Sequence, residues 1–166
     1  MSVASADLHK AVAALWESSG LEALFISTWT ADEKTQFDAL NDQEAGPQQA
    51  FPYCVFEQSP SETAVRMSSV NANSKREIHD IPWVFNVYAR FESGDSTTAK
   101  EQVAVLVEEI LKIFGGHPEV SSTPLALDNG NFLISQLITD YGVGNADDVY
   151  QWIISYMFKV DVPVAV

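Results

Sequence analysis

The sequence is poor in cysteine and in basic residues. Its one cysteine, Cys54, excludes an intrachain disulfide framework and is typical of a reducing compartment. Lys and Arg together number nine against 23 Asp and Glu, which gives a formal net charge of −14. Such a chain repels a phosphate backbone and lacks the basic stripe that nucleic-acid binding needs. We therefore do not expect specific binding to nucleic acid.

Long apolar runs are also missing, because none approaches the ~20 residues of a membrane-spanning helix. The N-terminal stretch MSVASADLHKAV has no apolar secretory core, so we expect the chain to start with mature sequence. The 166 residues are 46% hydrophobic and 19% charged, which is ordinary for a globular protein. These values predict one domain, residues 1–166, that does not enter a membrane.

Motifs for catalysis or metal binding are absent from the sequence. The histidines His9, His79 and His117 show no HxxxH or HExxH spacing, and no CxxC, GxSxG or GxxxxGK[ST] occurs. The stretch GVGNAD lacks the GxGxxG spacing of a dinucleotide-binding loop. Cys54, within the apolar run FPYCVF, is interpreted as a small core residue rather than a reactive thiolate. We predict no catalytic, cofactor-binding or metal-binding residues.

Three aspartates near a glycine-rich loop are the remaining candidates for a cation-binding or catalytic site. Asp140, Asp147 and Asp148 flank the stretch DYGVGNADD and could hold a cation, or act with His117 in a small hydrolase-type enzyme. Acid–base catalysis by carboxylates needs an apolar cleft, whereas these residues lie in polar sequence. A solvated end of a hairpin is the preferred interpretation.

Two main helices are marked by apolar periodicity and by their ends. Leu8, Val12, Leu15 and Trp16 recur at helical spacing between Ser5 and Ser18, and Gly20 follows as a C-terminal cap. Thr98 and Glu101 form a capping box for a second helix, which Gly115 ends. A weaker helical turn is predicted in ADEKTQFDAL and an exposed loop in NDQEAGPQQA.

The remaining apolar segments predict strands. FPYCVFEQ is apolar on both faces, TAVRMSSV is a weaker candidate, and IPWVFNVYARF alternates cleanly. Between them, NANSKREIHD is predicted to be a mobile tip, so that residues 59–80 form a projecting polar hairpin or loop. Asn129 and Gly130 predict a type I′ turn joining STPLALD to NFLISQLIT. The fold class is α+β, a mainly antiparallel sheet with the two main helices packed on one face.

The last strand, Val149 to Val162, is unusually long. One of its faces is wholly apolar, and the other is mixed but includes Ile153 and Met157. Fourteen residues in a strand span on the order of 45 Å, more than the ~30–35 Å breadth of a domain of this size. The strand must therefore break or bend, or its ends must pair with a neighbouring subunit. We predict a subunit interface at Ile153 and Met157, and also at Lys75 and Arg76 in the polar hairpin.

The order of these elements resembles that of a known family. An amphipathic helix (LHKAVAALWESSGLEALF) leads to FPYCVFEQ, a variable hairpin, IPWVFNVYARF and the helix AKEQVAVLVEEILKIF. The chain closes with a strand of the form YxxxxxYxFKVDVPV. Over about residues 5 to 162, this arrangement resembles the tail-terminator and tail-completion proteins of long-tailed bacteriophages, which also occur in prophages and phage-derived particles.

The resemblance implies a non-enzymatic structural protein of the virion, assembled in the host cytoplasm. It implies a homo-oligomeric ring, commonly a hexamer, that ends the tail tube and meets the head connector. Its partners would be copies of itself, the tail tube protein and the head-connector or completion protein, while DNA passes through unbound. An acidic lumen would keep DNA off the wall. The alternative is a cytosolic non-enzymatic binding or adaptor module, and the small enzyme is the least favoured.

Overall fold

The fold is taken from a computed structural model of the chain, which describes residues 3–42, 44–58, 63–71, 74–90, 98–144 and 148–164. Four helices are present in these ranges: α1 (Val3–Ser18), α2 (Leu21–Ile26), α3 (Ala31–Gln36) and α4 (Ala99–Phe114). The strands are β1 (Leu40–Asp42), β2 (Tyr53–Gln58), β3 (Thr63–Asn71), β4 (Ser74–Arg90), β5 (Asn131–Gly144) and β6 (Val149–Val164). No helix in the described ranges is long and apolar enough to cross a membrane.

The strands form one sheet in the order β1-β2-β4-β6-β5, and β3 pairs with β4 beyond the end of β2. Every pair is antiparallel except β1 with β2. The predicted α+β class with a mainly antiparallel sheet is therefore confirmed. β1 was missed because its three residues, within a stretch predicted as helical turn and loop, show no apolar alternation.

The two main helices cover the same face of the sheet, which we call the helix face. The ring of Phe85 on β4 lies 6.2 Å from that of Trp16 on α1 and 5.0 Å from that of Phe114 on α4. Tyr156 on β6 donates a hydrogen bond from its hydroxyl to the Gly115 carbonyl, just after α4 (2.7 Å). The aromatic side of the last strand thus fills the core, as its alternation predicts: Ile154, Tyr156, Phe158, Val160 and Val162 are buried.

The helix boundaries follow the predicted signals. Gly20 adopts a left-handed conformation (φ 84°) directly after α1. At the start of α4, the Thr98 amide donates to the Glu101 carboxylate (2.8 Å) and the Glu101 amide donates to the Thr98 hydroxyl (3.2 Å). Each bond gives a side-chain acceptor to a backbone N–H group at the start of the helix, where the first amides have no partner within the helix. Both main helices and the short turn, α3, are confirmed.

Most of the polar stretch NANSKREIHD, predicted as a mobile tip, has a regular strand conformation, and its residues 72 and 73 lie outside the described residues. From Ser74 to Asp80 it is part of β4, with β3 on one side and β6 on the other. Backbone hydrogen bonds on both sides hold these residues extended although they offer little apolar burial. Residues 63–71 and 74–80 do form an antiparallel hairpin. Its projection from the domain stays a prediction.

The predicted hairpin at Asn129 and Gly130 is wrong. Residues 121–128 form no strand, and β5 pairs with β6 instead. The backbone and side-chain amides of Asn129 donate to the buried carboxylate of Asp7 on α1 (2.9 and 3.1 Å). A Cβ at Gly130 would lie 2.6 Å from the Asp161 carbonyl oxygen, so glycine is needed for close approach to β6. The Asn-Gly pair therefore anchors the start of β5 and makes no turn.

Candidate assembly surface

The outermost strand of the sheet, β5, exposes a row of large apolar side chains. Six large hydrophobic residues are notably exposed among the side chains that the structure describes, and four of them lie on β5. We call these four the edge strip: Leu133, Ile134, Ile138 and Tyr141, each 47–51% exposed. A long apolar edge strand has unpaired backbone donors and acceptors beside apolar side chains, which makes it a template for pairing with another chain.

Two residues of the edge strip lie at register shifts in the pairing of β5 with β6. The pairing with β6 shifts between Phe132 and Ile134 and again between Leu137 and Thr139, so Leu133 and Ile138 have no cross-strand partner. Such bulges bend the strand and increase its local twist. The regular stretches between and after them, 134–137 and 139–144, remain extended at the edge of the sheet.

The edge strip continues onto the face of the sheet opposite the helices, which we call the open face. Cross-strand partners share a face, and Tyr141 is paired with Ile153, while Gln136 is paired with Met157. Ile153 and Met157 are only half-buried, unlike their core neighbours Ile154 and Phe158. The structure therefore puts these two predicted interface residues beside the edge strip, although it shows no partner for them.

A row of polar and aromatic side chains crosses one end of the open face. Tyr53 stacks on Tyr88, with ring centroids 5.0 Å apart. The side-chain amide of Gln151 donates to the Tyr88 hydroxyl and to the side-chain oxygen Oδ1 of Asn86 (3.1 Å each). Partial burial raises the pKa of both tyrosines, so both hydroxyls stay protonated at neutral pH. The side chains of this row therefore contact one another across β2, β4 and β6.

The other two predicted interface residues lie far along the same sheet. Lys75 and Arg76 belong to β4, and their backbone positions are opposite Val164 and Pro163 of β6. Tyr88, at the aromatic end of β4, is opposite Gln151. The basic pair is thus separated from Ile153 along β4 and β6. The four predicted interface residues share one sheet but do not form a single cluster.

The aspartates considered for a cation site do not form a cluster in the described residues. Asp140 is an exposed residue of β5, Asp148 precedes β6 with a positive φ of 60°, and Asp147 lies outside the described residues. His117 accepts a hydrogen bond from the Glu119 amide at Nδ1 (3.1 Å), and its Nε2 lies 3.7 Å from Glu108. Within the described ranges, no group of three or more His, Cys, Asp or Glu side chains could hold a metal ion.

Cys54 has the surroundings of a structural residue. It is fully buried in β2, opposite Val87 of β4, and burial raises the pKa of its thiol well above the usual value. A thiol that resists ionisation is a poor nucleophile. The interpretation of Cys54 as a core residue is confirmed.

The edge strip was not singled out from the sequence, although a signal for it exists. The stretch NFLISQLIT is apolar on both faces, which is unusual for a strand that ends a sheet. The sequence does not show that this strand ends the sheet, because STPLALD is predicted to be its hairpin partner. An edge strand is recognised only after the strand order is known.

Comparison with known proteins finds similarity among solved structures. No protein-family model matches the chain, and no curated protein matches it. Among solved structures, the chain is similar to one from the "Virion of native gene transfer agent (GTA) particle". The two are 17% identical, the alignment covers 85% of this chain and 84% of the other, and the TM-score is 0.44.

Proposed function

We propose that this protein is a structural component of a phage-type particle. In this proposal it forms a homo-oligomeric ring, a hexamer by the resemblance stated above, that ends the tail tube and joins it to the head connector. The observation that supports it most is the exposed apolar edge strip on β5, continuous with Ile153 and Met157 on the open face. The solved chain reported above is also from a virion, but the proposal rests on this surface and on the sequence resemblance.

The edge strip favours association over a role as a monomer. Soluble monomers usually protect an edge strand with charges, prolines, bulges or very short length, and of these β5 has two bulges. β5 is fourteen residues long, and between Asn131 and Thr139 it has no charged residue. Since the exposed apolar side chains gain from removal from water, a protein partner at this edge is favoured.

The net charge of the proposed ring suits a DNA conduit. With a net charge of −14 per chain, a ring of several copies repels the phosphate backbone unless its basic residues line the lumen. DNA then passes without adhering to the wall. A lumen lined by the nine basic residues would contradict this part of the proposal.

Mass in solution is the first test. Native mass spectrometry and sedimentation over a wide concentration range should show a discrete assembly, six copies of the 18.3-kDa chain, and negative-stain images should show rings. If the free chain is monomeric, the same measurement is made after mixing with tail tubes of the same particle, with bound copies counted per tube end. A chain that stays monomeric and does not bind tubes would rule the proposal out.

A further inference from the structure

The sheet has a second long edge besides β5. Within the described ranges, β3 pairs only with β4, so one side of its backbone from Thr63 to Asn71 has no sheet partner. Between residues that the structure describes, the backbone hydrogen bonds outside the helices and the sheet involve no residue of β3 or β5. β3 and β5 lie on opposite sides of the β4–β6 pair, so both are edge strands of the same sheet.

The sequence stretches that contain the two edges differ in charge, with Glu77 and Asp80 of β4 lying opposite Met67 and Thr63 of β3. Residues 63–76, which include β3 and the first residues of β4, contain Arg66, Lys75 and Arg76 and no acidic residue. The rest of the chain has the other six basic residues and all 23 acidic ones. Around β5, by contrast, no Lys or Arg occurs between Lys112 and Lys159. The acidic residues in that stretch are Glu119, Asp128, Asp140, Asp147 and Asp148.

This contrast matters because the protein repels itself. Two copies with a charge of −14 each repel on approach, and only an arrangement that joins unlike patches offsets the repulsion. A β5 edge against a second β5 edge joins two acidic stretches. A β5 edge against a β3 edge joins an acidic stretch to residues 63–76, which carry three basic residues and no acidic one.

We propose that the β5 edge of one copy pairs with the β3 edge of a second copy, so that the sheet continues from subunit to subunit. This inference rests on the proposed ring and specifies its interface. An interface between two different edges is heterologous, and a heterologous contact closes into a ring when its rotation allows. The other edge pairing, β5 with β5, uses the same patch twice and stops at a dimer.

The bulges fit a curved continuous sheet. β5 has two register shifts, and so does β3, between Ala64 and Arg66 and between Met67 and Ser69. Bulges increase twist and curvature, which a sheet needs in order to close on itself. Pairing between subunits is expected in the regular stretches between bulges, where the backbone groups keep the periodic spacing of a strand.

Cysteine pairing tests which edges meet. Gln136→Cys or Thr139→Cys places a thiol on an exposed position of β5, and Ser68→Cys or Ser69→Cys places one on β3. Each β5 variant is mixed with each β3 variant, one of them size-tagged, and oxidised. We expect a mixed disulfide from at least one combination, because paired strands bring Cα atoms within disulfide range. Buried Cys54 serves as the internal control and should stay reduced.

Each outcome of this experiment is informative. A mixed disulfide supports the β5–β3 interface, and disulfides confined to the β5 variant alone show a β5–β5 contact and overturn it. If the native mass shows assembly but no combination cross-links, the inference is overturned while the proposed ring stands. If the protein is monomeric with and without tail tubes, the proposed function fails too.

A charge swap provides an independent measurement. Lys75→Glu with Arg76→Glu should weaken association roughly tenfold, because like charges then meet at the interface. Asp140→Lys with Asp148→Lys, both at exposed positions around β5, should restore most of that loss when combined with the first pair. Equal weakening by both pairs without any rescue would contradict the proposed contact.

Discussion

Tyr156 at the centre of β6 hydrogen-bonds to the carbonyl oxygen of Gly115 at a distance of 2.7 Å, and this bond ties the sheet to the end of α4. The tyrosine is almost fully buried, and the bond satisfies both its hydroxyl and a carbonyl beyond the last helical turn. This bond adds to the pairing with β4 and β5 and to the buried side chains that hold β6 in the core.

Removal of that hydroxyl should destabilise the fold without changing its shape. Tyr156→Phe keeps the ring and leaves the Gly115 carbonyl without its partner, so we expect a loss of about 1–2 kcal/mol in the free energy of unfolding. Urea denaturation measures it. Tyr141→Phe, at an exposed position of β5, is the matched control and should change stability little. Equal stability of the two variants would show that water replaces the bond.

The raised pKa of Tyr156 predicts that the folded protein loses stability in alkaline solution. Burial raises the pKa of Tyr156 in the folded protein, and Cys54, Tyr53 and Tyr88 shift in the same direction. The unfolded chain therefore releases these protons at lower pH than the folded chain, so stability is full below the unfolded pKa values and falls as pH rises through about 9 to 11. Urea midpoints across this range should drop, and Tyr156→Phe should make the drop shallower. An unchanged slope in the variant would assign the effect to the other groups.

Gly142 provides a steric test of the β5–β6 pairing. It lies opposite Trp152, and a Cβ at this position would come within 2.8 Å of the indole ring and would also press on the Tyr150 hydroxyl. Gly142→Ala should cost about 1–3 kcal/mol by forcing the rings to move. Gly144→Ala is the matched control, because nothing lies within 4 Å of its Cβ position. Thermal unfolding of the two variants compares them, and similar melting temperatures would contradict the described packing.

The prediction for the two faces of β6 can be tested with aspartate. Met157→Asp places a charge on the open face and should leave the monomer folded while weakening assembly at least tenfold, since a charge is desolvated at an interface. Trp152→Asp, on the core side and packed against the hydrophobic cluster, should unfold the chain. Circular dichroism reports folding, and sedimentation reports assembly. Unfolding by Met157→Asp would show that both faces of the strand are core.

The features that could be predicted from the sequence are those that local chemistry determines. The capping box at Thr98 and Glu101 starts α4, and the alternation from Trp83 to Ala89 and from Ile154 to Phe158 identifies the buried face. Both signals depend on residues a few positions apart. The buried faces of β4 and β6 could therefore be predicted from the alternation of apolar residues alone.

The features that could not be predicted depend on distant partners. Ser74 to Asp80 is polar, yet it is extended because β3 and β6 pair with it on both sides. Asn129 has turn chemistry, but Asp7, 122 positions earlier in the chain, holds its amides. The edge strip was missed for the same reason, since exposure of Ile134 and Ile138 depends on which strand ends the sheet.

The edge strip gives the sharpest test of assembly. Ile138→Asp changes a side chain that is 50% exposed and has no cross-strand partner, so the monomer should lose less than about 1 kcal/mol of stability. At the proposed interface the same change desolvates a charge beside an apolar neighbour, and we expect association to weaken at least tenfold. Val105→Asp, at a 56% exposed apolar position on α4, adds the same charge far from β5 and serves as the control. Sedimentation of the three proteins at matched concentration measures the difference. If Val105→Asp disrupts assembly and Ile138→Asp does not, subunits meet through the helical side of the molecule and β5 is a free edge.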